Sequence, residues 1–225
     1  MEGIAGQEGI DPGSVEVIVV DNESTDTTAE IARAFGARVV TLPRKEFTYP
    51  RSMNLGVEAA RAPIVVLTVG HAVPIGPHWL ASVLPHFHNP KVAGVYGSAL
   101  PNKHAGFFER LMYWESYSRA FLFNPRTIRK TGTGVFGATN IAFRRDLWVQ
   151  HPFEEQYELG GEDTHWAEWA FRQGYVIIRE VKFSVRHSHN LSLPNLLTQF
   201  HYWHKLRNPT KFSKEALRHR KDINW

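Results

Sequence analysis

Residues 17–28 have the sequence Val-Ile-Val-Val-Asp-Asn-Glu-Ser-Thr-Asp-Thr-Thr. The four β-branched apolar residues at its start predict a fully buried strand of the kind found in parallel sheets. The strand ends at Asp21, and the small polar residues after it suit a turn and a helix N-cap. In open α/β sheets, ligands bind at the carboxyl ends of the strands. Asp21 is therefore placed to accept hydrogen bonds from ribose hydroxyls or a base N–H, unless it only caps the helix.

The rest of the first hundred residues alternates strands and helices. The helix after Asp21 is predicted to end at Gly36, and its buried face is Thr28, Ile31, Ala32 and Phe35. Further strands are predicted at residues 37–42, 64–68 and 92–96, and a helix at residues 52–60. Another helix is predicted to bury Trp79, Leu80, Val83, Leu84 and Phe87. This βαβ alternation predicts a mostly parallel sheet with right-handed connections.

The second half of the chain changes character. Residues 107–123 are aromatic and predicted to be helical, residues 132–137 form a loop, and residues 140–144 form a strand. A helix containing Trp166, Trp169, Ala170 and Phe171 follows the turn Gly160-Gly161-Glu162-Asp163 and ends at Gly174. Strands are predicted at residues 176–178 and 183–185, and a helix at residues 193–206.

Composition sets broad limits. The chain has 225 residues, 43% of them hydrophobic and 21% charged, which predicts one globular domain. It has no cysteine, so disulfides and thiolate chemistry are excluded. No apolar run approaches the roughly 20 residues of a membrane span, and Met1-Glu2-Gly3 lacks the features of a signal peptide. A cytoplasmic protein is predicted.

The net charge is +4, and basic residues concentrate near the end of the chain: Lys205, Arg207, Lys211, Lys214, Arg218, Arg220 and Lys221. This segment could contact anionic lipid at the inner face of a membrane or hold an anionic substrate, or it could be a solvated helical face. The chain also has seven tryptophans and twelve histidines. Tryptophan suits sugar faces but is more often found in a core.

Three further groups of residues indicate an enzyme. Glu162 and Asp163 open a helix, where the helix dipole stabilises anions, and a carboxylate there suits a general base or only a cap. His187 and His189 follow a strand and point to the same side, as metal ligands or phosphate contacts must. His71, in Gly70-His71-Ala72, follows the strand at residues 64–68.

These motifs together resemble family 2 glycosyltransferases with the GT-A fold. The resemblance runs from about Gln7 to Ser192 and includes these elements: Val19-Val20-Asp21-Asn22-Glu23-Ser24-Thr25-Asp26, Arg51-x-x-Asn54-x-Gly56, Trp79-Leu80, Glu162-Asp163-x-x-Trp166 and His187-x-His189. Residues 47–74 are most similar to the rhamnosyltransferase-like branch. The resemblance implies one Rossmann-like α/β domain over residues 1–225, with a mostly parallel sheet flanked by helices. Its parts would be a nucleotide-binding half (1–100), an acceptor and catalytic half (101–192) and a basic helical tail (193–225).

The resemblance also implies a reaction and a set of roles. A sugar would move from a UDP-, dTDP- or GDP-linked donor to a hydroxyl of a glycan, glycolipid or small molecule, inverting the anomeric centre in one displacement. Asp163 would be the base, with Glu162 beside it and Trp166 lining the acceptor side. A divalent cation, Mn²⁺ or Mg²⁺, would be held by His71, His187 and His189. The predicted nucleotide-sugar contacts are Asp21, Asn22, Ser24, Arg51, Asn54, Gly70 and His71.

The sequence departs from the family pattern at two places. His71 stands where the family usually has a metal-binding acid, and imidazole favours transition metals over Mg²⁺. The family's first strand, of the type Val-Ile-Ile-Pro, is missing ahead of Gln7, which predicts an unpaired and aggregation-prone edge on residues 17–20. A mis-assigned start, a fragment or a decayed gene product would each explain this absence.

The same residues bear on three alternative functions. A non-catalytic GT-A remnant with weak nucleotide binding is favoured by the missing strand and the replaced acid, and disfavoured by Asp21, Asp163 and the paired histidines. A nucleotidyltransferase would need a Gly-rich loop bearing Lys or Arg after the first strand, and the chain has none. Nucleic-acid binding is disfavoured because no basic stripe lies beside exposed aromatics.

Overall fold

The structure, a computed structural model, describes residues 1–111, 124–132, 135–158, 160–189, 193–195 and 197–198. Within them, the helices with both ends described are α1 (Glu2–Ala5), α2 (Thr28–Ala34), α3 (Tyr49–Ala59), α4 (Arg145–Gln150) and α5 (Glu162–Arg172). The strands are β1 (Ile18–Asp21), β2 (Arg38–Thr41), β3 (Ile64–Thr68), β4 (Val73–Pro74), β5 (Val92–Tyr96), β6 (Ala99–Leu100), β7 (Arg126–Ile128), β8 (Asn140–Arg144), β9 (Val176–Arg179) and β10 (Val185–Arg186). Single 3₁₀ turns lie at Pro12–Ser14, Arg44–Glu46, Leu84–His88, Glu155–Tyr157 and Val181–Phe183.

The strands of the described residues form three sheets. β1 and β2 pair in parallel, the central sheet has the order β3-β8-β5-β9-β7, and a small sheet has the order β4-β10-β6. In the central sheet, β8 runs antiparallel to both β3 and β5. An α/β fold with flanking helices is therefore confirmed, but the central sheet is mixed rather than mostly parallel. The reason is that a strand from the second half of the chain inserts between two strands from the first half.

Three strands, β3, β5 and β8, have the predicted bounds. The pairing of β1 with β2 is parallel as expected, but residues 17–20 are only half-buried, so the expectation of a fully buried strand is wrong. Within the described residues, β1 pairs with no strand other than β2. The predicted strand at residues 183–185 is instead a 3₁₀ turn followed by β10.

Two predicted helices differ from the structure. Helix α2 ends before Gly36, whose φ of +79° suits glycine, but it buries Ala32 and leaves Ile31 49% and Phe35 44% exposed. The segment from Trp79 to Phe87 is a series of turns ending in the 3₁₀ turn Leu84–His88. Pro85 lacks the N–H that an α-helical hydrogen bond needs. Trp79 and Phe87 are nevertheless buried, as predicted.

The central sheet has a core on each face because strand side chains alternate in direction. On β8, Ile141 and Phe143 join the core that contains Trp148, Phe153 and Trp166, and Ala142 joins the core that contains Trp79 and Phe183. Helix α4 packs on β8 and helix α5 on β9. This packing fixes the start of α5, which carries Glu162 and Asp163, against the sheet.

A cavity of about 500 Å³ opens at the amino ends of β1 and β2. It is lined in part by Val17, Arg38, Phe35 and Arg61, together with residues of α1. The carboxyl ends of the strands, where the predicted site residues lie, are at the opposite edge. This cavity is therefore separate from the candidate site.

Some predictions fall outside the described residues. They concern residues 112–123 of the predicted aromatic helix, residues 133 and 134 of the predicted loop, and nearly all of the basic segment from residue 193 onward. Residues 107–111 are helical, as expected. In the described ranges, none of the helices has the length and apolar character needed to span a bilayer.

Candidate active site

The three predicted histidines meet in space. His71 Nε2 lies 2.8 Å from His187 Nε2, and the His189 ring lies 5.0 Å from His71 and 4.7 Å from His187 between ring centroids. The reason is the antiparallel pairing of β4 with β10, in which Val73 faces Arg186. Continuing this register places the residues just before β4 opposite those just after β10. The predicted convergence of these side chains is therefore present in the structure.

The segment that carries two of the histidines is held from two sides. The backbone N–H of His187 donates to the carbonyl of Leu100, at 2.7 Å, and the Ser188 hydroxyl accepts from the N–H of Asn102, at 3.2 Å. A further residue, which the sequence did not reveal, is Glu109. It is 2% exposed, and its Oε1 accepts from the N–H of His189 at 3.0 Å. A lone acid inside the aromatic run at residues 107–111 is the signal that could have identified it.

The histidines are neutral at pH 7 in this environment. Burial, together with the neighbouring His189 and His71, lowers the pKa of His187 to about 4. Burial also lowers the pKa of His71 and of His189. Metal ions bind the neutral form of imidazole, because it has a nitrogen lone pair that carries no proton.

These residues fit a divalent cation. The three ligand nitrogens lie within 4.8 Å of one another, and His187 Nδ1 is buried with no hydrogen-bond partner among the described residues. An all-imidazole set suits Mn²⁺ or another transition metal better than Mg²⁺, which prefers oxygen ligands. His71 is the most exposed of the three.

Asp163 is held at the first turn of α5 by backbone hydrogen bonds. Its Oδ2 accepts from the N–H of Ala138 at 2.8 Å, and its Oδ1 accepts from the N–H of Thr164. The turn before it needs Gly160 and Gly161, whose φ angles of +122° and +102° disfavour side chains. Ala138 precedes β8, and β8 begins with Asn140 beside Thr68, the last residue of β3. Asp163 and the loop that carries His71 are thus attached to the same edge of the sheet.

The two acids of this turn have perturbed ionisation. Burial raises the pKa of Glu162 well above its usual value, and the charge of Asp163 raises it further. Burial also raises the pKa of Asp163, while its backbone hydrogen bonds oppose the shift. Glu162 is 3% exposed, and its Oε2 has no hydrogen-bond partner in the described part of the chain. Of the two, Glu162 therefore holds a proton more readily, and the carboxylate of Asp163, which accepts from two backbone N–H groups, is better suited to act as a base.

Asp21 is buried at the end of β1, with 7% of its surface exposed. Its Oδ2 accepts from the N–H of Ser24 at 3.2 Å and so caps the turn after β1, whereas the N-cap residue of helix α2 is Thr27. Its Oδ1 is buried and has no hydrogen-bond partner among the described residues. One carboxylate oxygen thus caps the turn, and the other remains available to a ligand.

Several predicted nucleotide contacts have other partners. Asn54 is buried in the core, where its Oδ1 accepts from the N–H of Phe153 and the Nε1–H of Trp148 and its Nδ2 donates to the carbonyl of Phe153. The structure therefore makes Asn54 a core hydrogen-bond centre rather than a nucleotide contact. Asn22 donates from Nδ2 to the carbonyl of Leu42, at 2.9 Å, and so fastens β1 to the end of β2.

Arg51 is held by two acids, Glu46 at 2.9 Å and Glu155 at 3.7 Å. The side-chain hydrogen bond with Glu46 is the largest cause that raises the pKa of Arg51. Ser24 is exposed, as is Gly70, which lies beside His71. The structure does not place Arg51 against the histidines, and the nucleotide roles of Arg51, Ser24 and Gly70 stay predictions.

Trp166 does not line an acceptor site. It is 0% exposed and packs against Phe136, with ring centroids 5.3 Å apart, and against Phe143 and Trp169. Glu162, Asp163 and Trp166 lie on the same helix, α5, and Trp166 is on the face of that helix that packs into the core. The expectation of an acceptor contact is corrected: Trp166 is a core residue.

An α/β sheet with acids and histidines at the carboxyl ends of its strands is the arrangement of a GT-A glycosyltransferase, and solved structures of this class share the fold. The mannosyltransferase PcManGT from Pyrobaculum calidifontis, solved with GDP-Man and Mn²⁺, aligns with a TM-score of 0.59 and 20% identity over 83% of this chain and 51% of its own. Glucosyl-3-phosphoglycerate synthase from Mycobacterium tuberculosis, solved with Mn²⁺, UDP-glucose and glycerol 3-phosphate, aligns with a TM-score of 0.59 and 19% identity over 86% of this chain and 68% of its own.

The chain belongs to glycosyl transferase family 2, whose model matches residues 2–149. A curated relative, the O-antigen chain rhamnosyltransferase WbaN of Salmonella anatum, is 25% identical over 185 residues. That alignment covers 78% of this chain and 57% of WbaN, so the chain spans little more than half of the relative's length. The expected resemblance to this family, including its rhamnosyltransferase branch, is thus confirmed.

Proposed function

We propose that this chain transfers a sugar from a nucleoside-diphosphate sugar to a hydroxyl group of a glycan, glycolipid or small-molecule acceptor, with inversion of the anomeric centre. The observation that carries the proposal is the convergence of His71, His187 and His189 at the sheet edge to which Asp163 is also attached. Family membership and the nucleotide-sugar complexes of its structural neighbours support it. The O-antigen relative favours a polysaccharide acceptor.

The environments of the residues support the roles proposed for them. Asp163, with its carboxylate held by two backbone N–H groups, takes the proton from the attacking acceptor hydroxyl. The oxygen of that hydroxyl then bonds to the anomeric carbon as the bond to the diphosphate breaks. A divalent cation, when bound, offsets the negative charge that builds on the leaving diphosphate. His71, His187 and His189 would hold that ion, and Asp21 would orient the nucleotide through its unpartnered Oδ1.

The direct test of the proposal is a donor panel. The full chain is incubated with UDP-, dTDP- and GDP-linked sugars and Mn²⁺, with water or added sugars as acceptors, and release of nucleoside diphosphate is measured. We expect one nucleotide class to be turned over and to bind most tightly. Absence of both binding and release across the whole panel would instead support the alternative of a non-catalytic remnant.

Removing the Asp21 carboxylate is expected to weaken nucleotide binding without unfolding the protein. Hydrogen bonds to a charged group contribute roughly 1.5–3 kcal/mol, so Asp21→Ala should weaken UDP or dTDP binding by about tenfold or more. Calorimetry gives the affinity, and thermal denaturation gives the stability. Asp11→Ala is the matched control, since Asp11 also caps a turn, by accepting from the N–H of Gly13. Unchanged affinity with a lowered melting temperature would show that Asp21 only caps its turn.

Metal choice is expected to follow the imidazole ligands. Mn²⁺ should support nucleotide binding better than Mg²⁺, and excess chelator should remove the difference. Replacing a residue that only hydrogen-bonds to a metal ligand typically lowers metal affinity about 10–100-fold. Removing a ligand itself, as in His187→Ala, should therefore weaken Mn²⁺ binding by at least about tenfold. His78→Ala, at an exposed histidine outside the cluster, is the control. Full activity in excess chelator would exclude the metal from the reaction.

A further inference from the structure

A second group of metal-ligating side chains lies away from the histidine triad. His151 follows helix α4, Glu154 lies in the next loop, and His165 is on the first turn of α5. Glu154 Oε1 lies 3.8 Å from His151 Nε2 and 3.6 Å from His165 Nδ1. One ligand atom from each residue lies within 4.8 Å of the other two. Three different segments of the chain thus aim donor atoms at one point.

The three segments are held in place independently of any ligand. The His151 ring stacks on Trp169, with centroids 4.8 Å apart and planes 17° apart. The loop that carries Glu154 is anchored by Phe153, whose backbone N–H and carbonyl both bond to the buried Asn54 side chain. His165 is part of α5. A preformed arrangement of this kind lowers the entropic cost of binding an ion.

The state of the donors also suits a metal ion. His151 Nε2 is buried and has no hydrogen-bond partner among the described residues. Each of the three side chains keeps a partly exposed surface, from 23% to 32%, which leaves a path for an ion and water. A buried imidazole nitrogen with no hydrogen-bond partner among the described residues, lying 3.8 Å from a carboxylate oxygen, suits an ion that both groups can coordinate.

We propose that His151, Glu154 and His165 bind a transition-metal ion of the Zn²⁺ type at a site distinct from the histidine triad. Two imidazole nitrogens and one carboxylate oxygen are a donor set that Zn²⁺ takes, with a fourth position left to water. Mg²⁺ and Ca²⁺ prefer oxygen ligands and fit this set poorly. The bound ion would tie the loop after α4 to the first turns of α5. The same first turns of α5 carry Glu162 and Asp163.

The test measures metal binding, so its outcome does not depend on the proposed transferase activity. Zn²⁺ is titrated by calorimetry into the full chain carrying His187→Ala and His189→Ala, which removes the triad. The absorption spectrum of bound Co²⁺ reports the number and type of ligands. We expect the ion to bind, and Glu154→Gln or His165→Gln to weaken binding by at least about tenfold. The melting temperature should rise with Zn²⁺ in the background protein and not in the Glu154→Gln protein.

A matched control separates this site from incidental zinc binding by other histidines. Glu8 and His78 form an exposed pair at 4.0 Å, and the double variant Glu8→Gln, His78→Gln should leave the Zn²⁺ affinity unchanged. If the background protein fails to fold, Glu154→Gln made in the otherwise unaltered chain should still lose one bound Zn²⁺. Equal zinc stoichiometry and affinity with and without Glu154 and His165 would overturn the proposal.

Discussion

Replacing Asp163 with asparagine is expected to abolish sugar transfer while nucleotide binding is retained. An amide cannot accept the proton of the acceptor hydroxyl, and loss of a general base typically costs roughly 10²–10⁴-fold in rate. The measurement is turnover of the donor that the panel identifies, with nucleotide affinity determined by calorimetry on the same protein. Turnover within about tenfold of the unaltered chain would contradict the assignment of the base.

Two controls make this result specific to the carboxylate. Asparagine presents an N–H₂ group to one of the two backbone N–H donors, so the melting temperature must be measured for the Asp163→Asn protein. The control variant is Asp146→Asn. Asp146 is an exposed acid in the first turn of α4 and accepts from the N–H of Leu147, so its replacement should leave turnover unaltered. A loss of rate confined to Asp163→Asn, in a folded protein, would identify a chemical role.

The pH dependence of transfer should report the same group. Because burial raises the pKa of Asp163, the carboxylate is protonated at pH values where an ordinary aspartate, with a pKa of about 4, is ionised. The rate should therefore fall as the pH is lowered through this raised pKa. Since Glu162 and Asp163 interact, the apparent value belongs to the pair.

Replacing Trp166 with alanine is expected to be the most destabilising single change. Removing a fully buried tryptophan costs about 3–5 kcal/mol, a large share of the roughly 5–15 kcal/mol that stabilises a domain. Trp166 contacts Phe136, Phe143, Phe153 and Trp169, so the cavity would lie at the centre of one core. The free energy of unfolding is measured by denaturant titration.

Milder variants separate the core role from a role in acceptor binding. Trp166→Phe keeps an aromatic ring, and Nε1 of Trp166 has no hydrogen-bond partner in the described residues, so this variant should lose much less stability. Val149→Ala, at a residue 57% exposed on α4, should change stability by no more than about 0.5 kcal/mol. A stable Trp166→Ala protein with a raised KM for the acceptor would restore the acceptor role and contradict the observed burial.

The sequence alone was enough for the features that depend on local order. Apolar runs bounded by turn residues placed β3, β5 and β8, and the Gly160-Gly161 turn placed the start of α5. The same local order placed Asp21 at a strand end and Asp163 at a helix start. Local sequence gave a wrong prediction where one pattern is compatible with two structures. The segment from Trp79 to Phe87 has helical spacing but contains Pro85. The spacing of Trp166 is compatible with both an acceptor surface and a core, and the residue is buried.

Only the tertiary structure decided which distant groups meet. His71 and His187 are 116 positions apart, and the register of β4 against β10 brings their rings into contact. Asn54 forms hydrogen bonds with Phe153, which is 99 positions away in the sequence. His151, Glu154 and His165 converge through the packing of α4 against β8 and of α5 against β9. Hydrophobic period and turn chemistry are properties of neighbouring residues, so they can be recognised in the sequence. Strand register and helix packing depend on the free energy of the whole core, and these arrangements follow from that free energy.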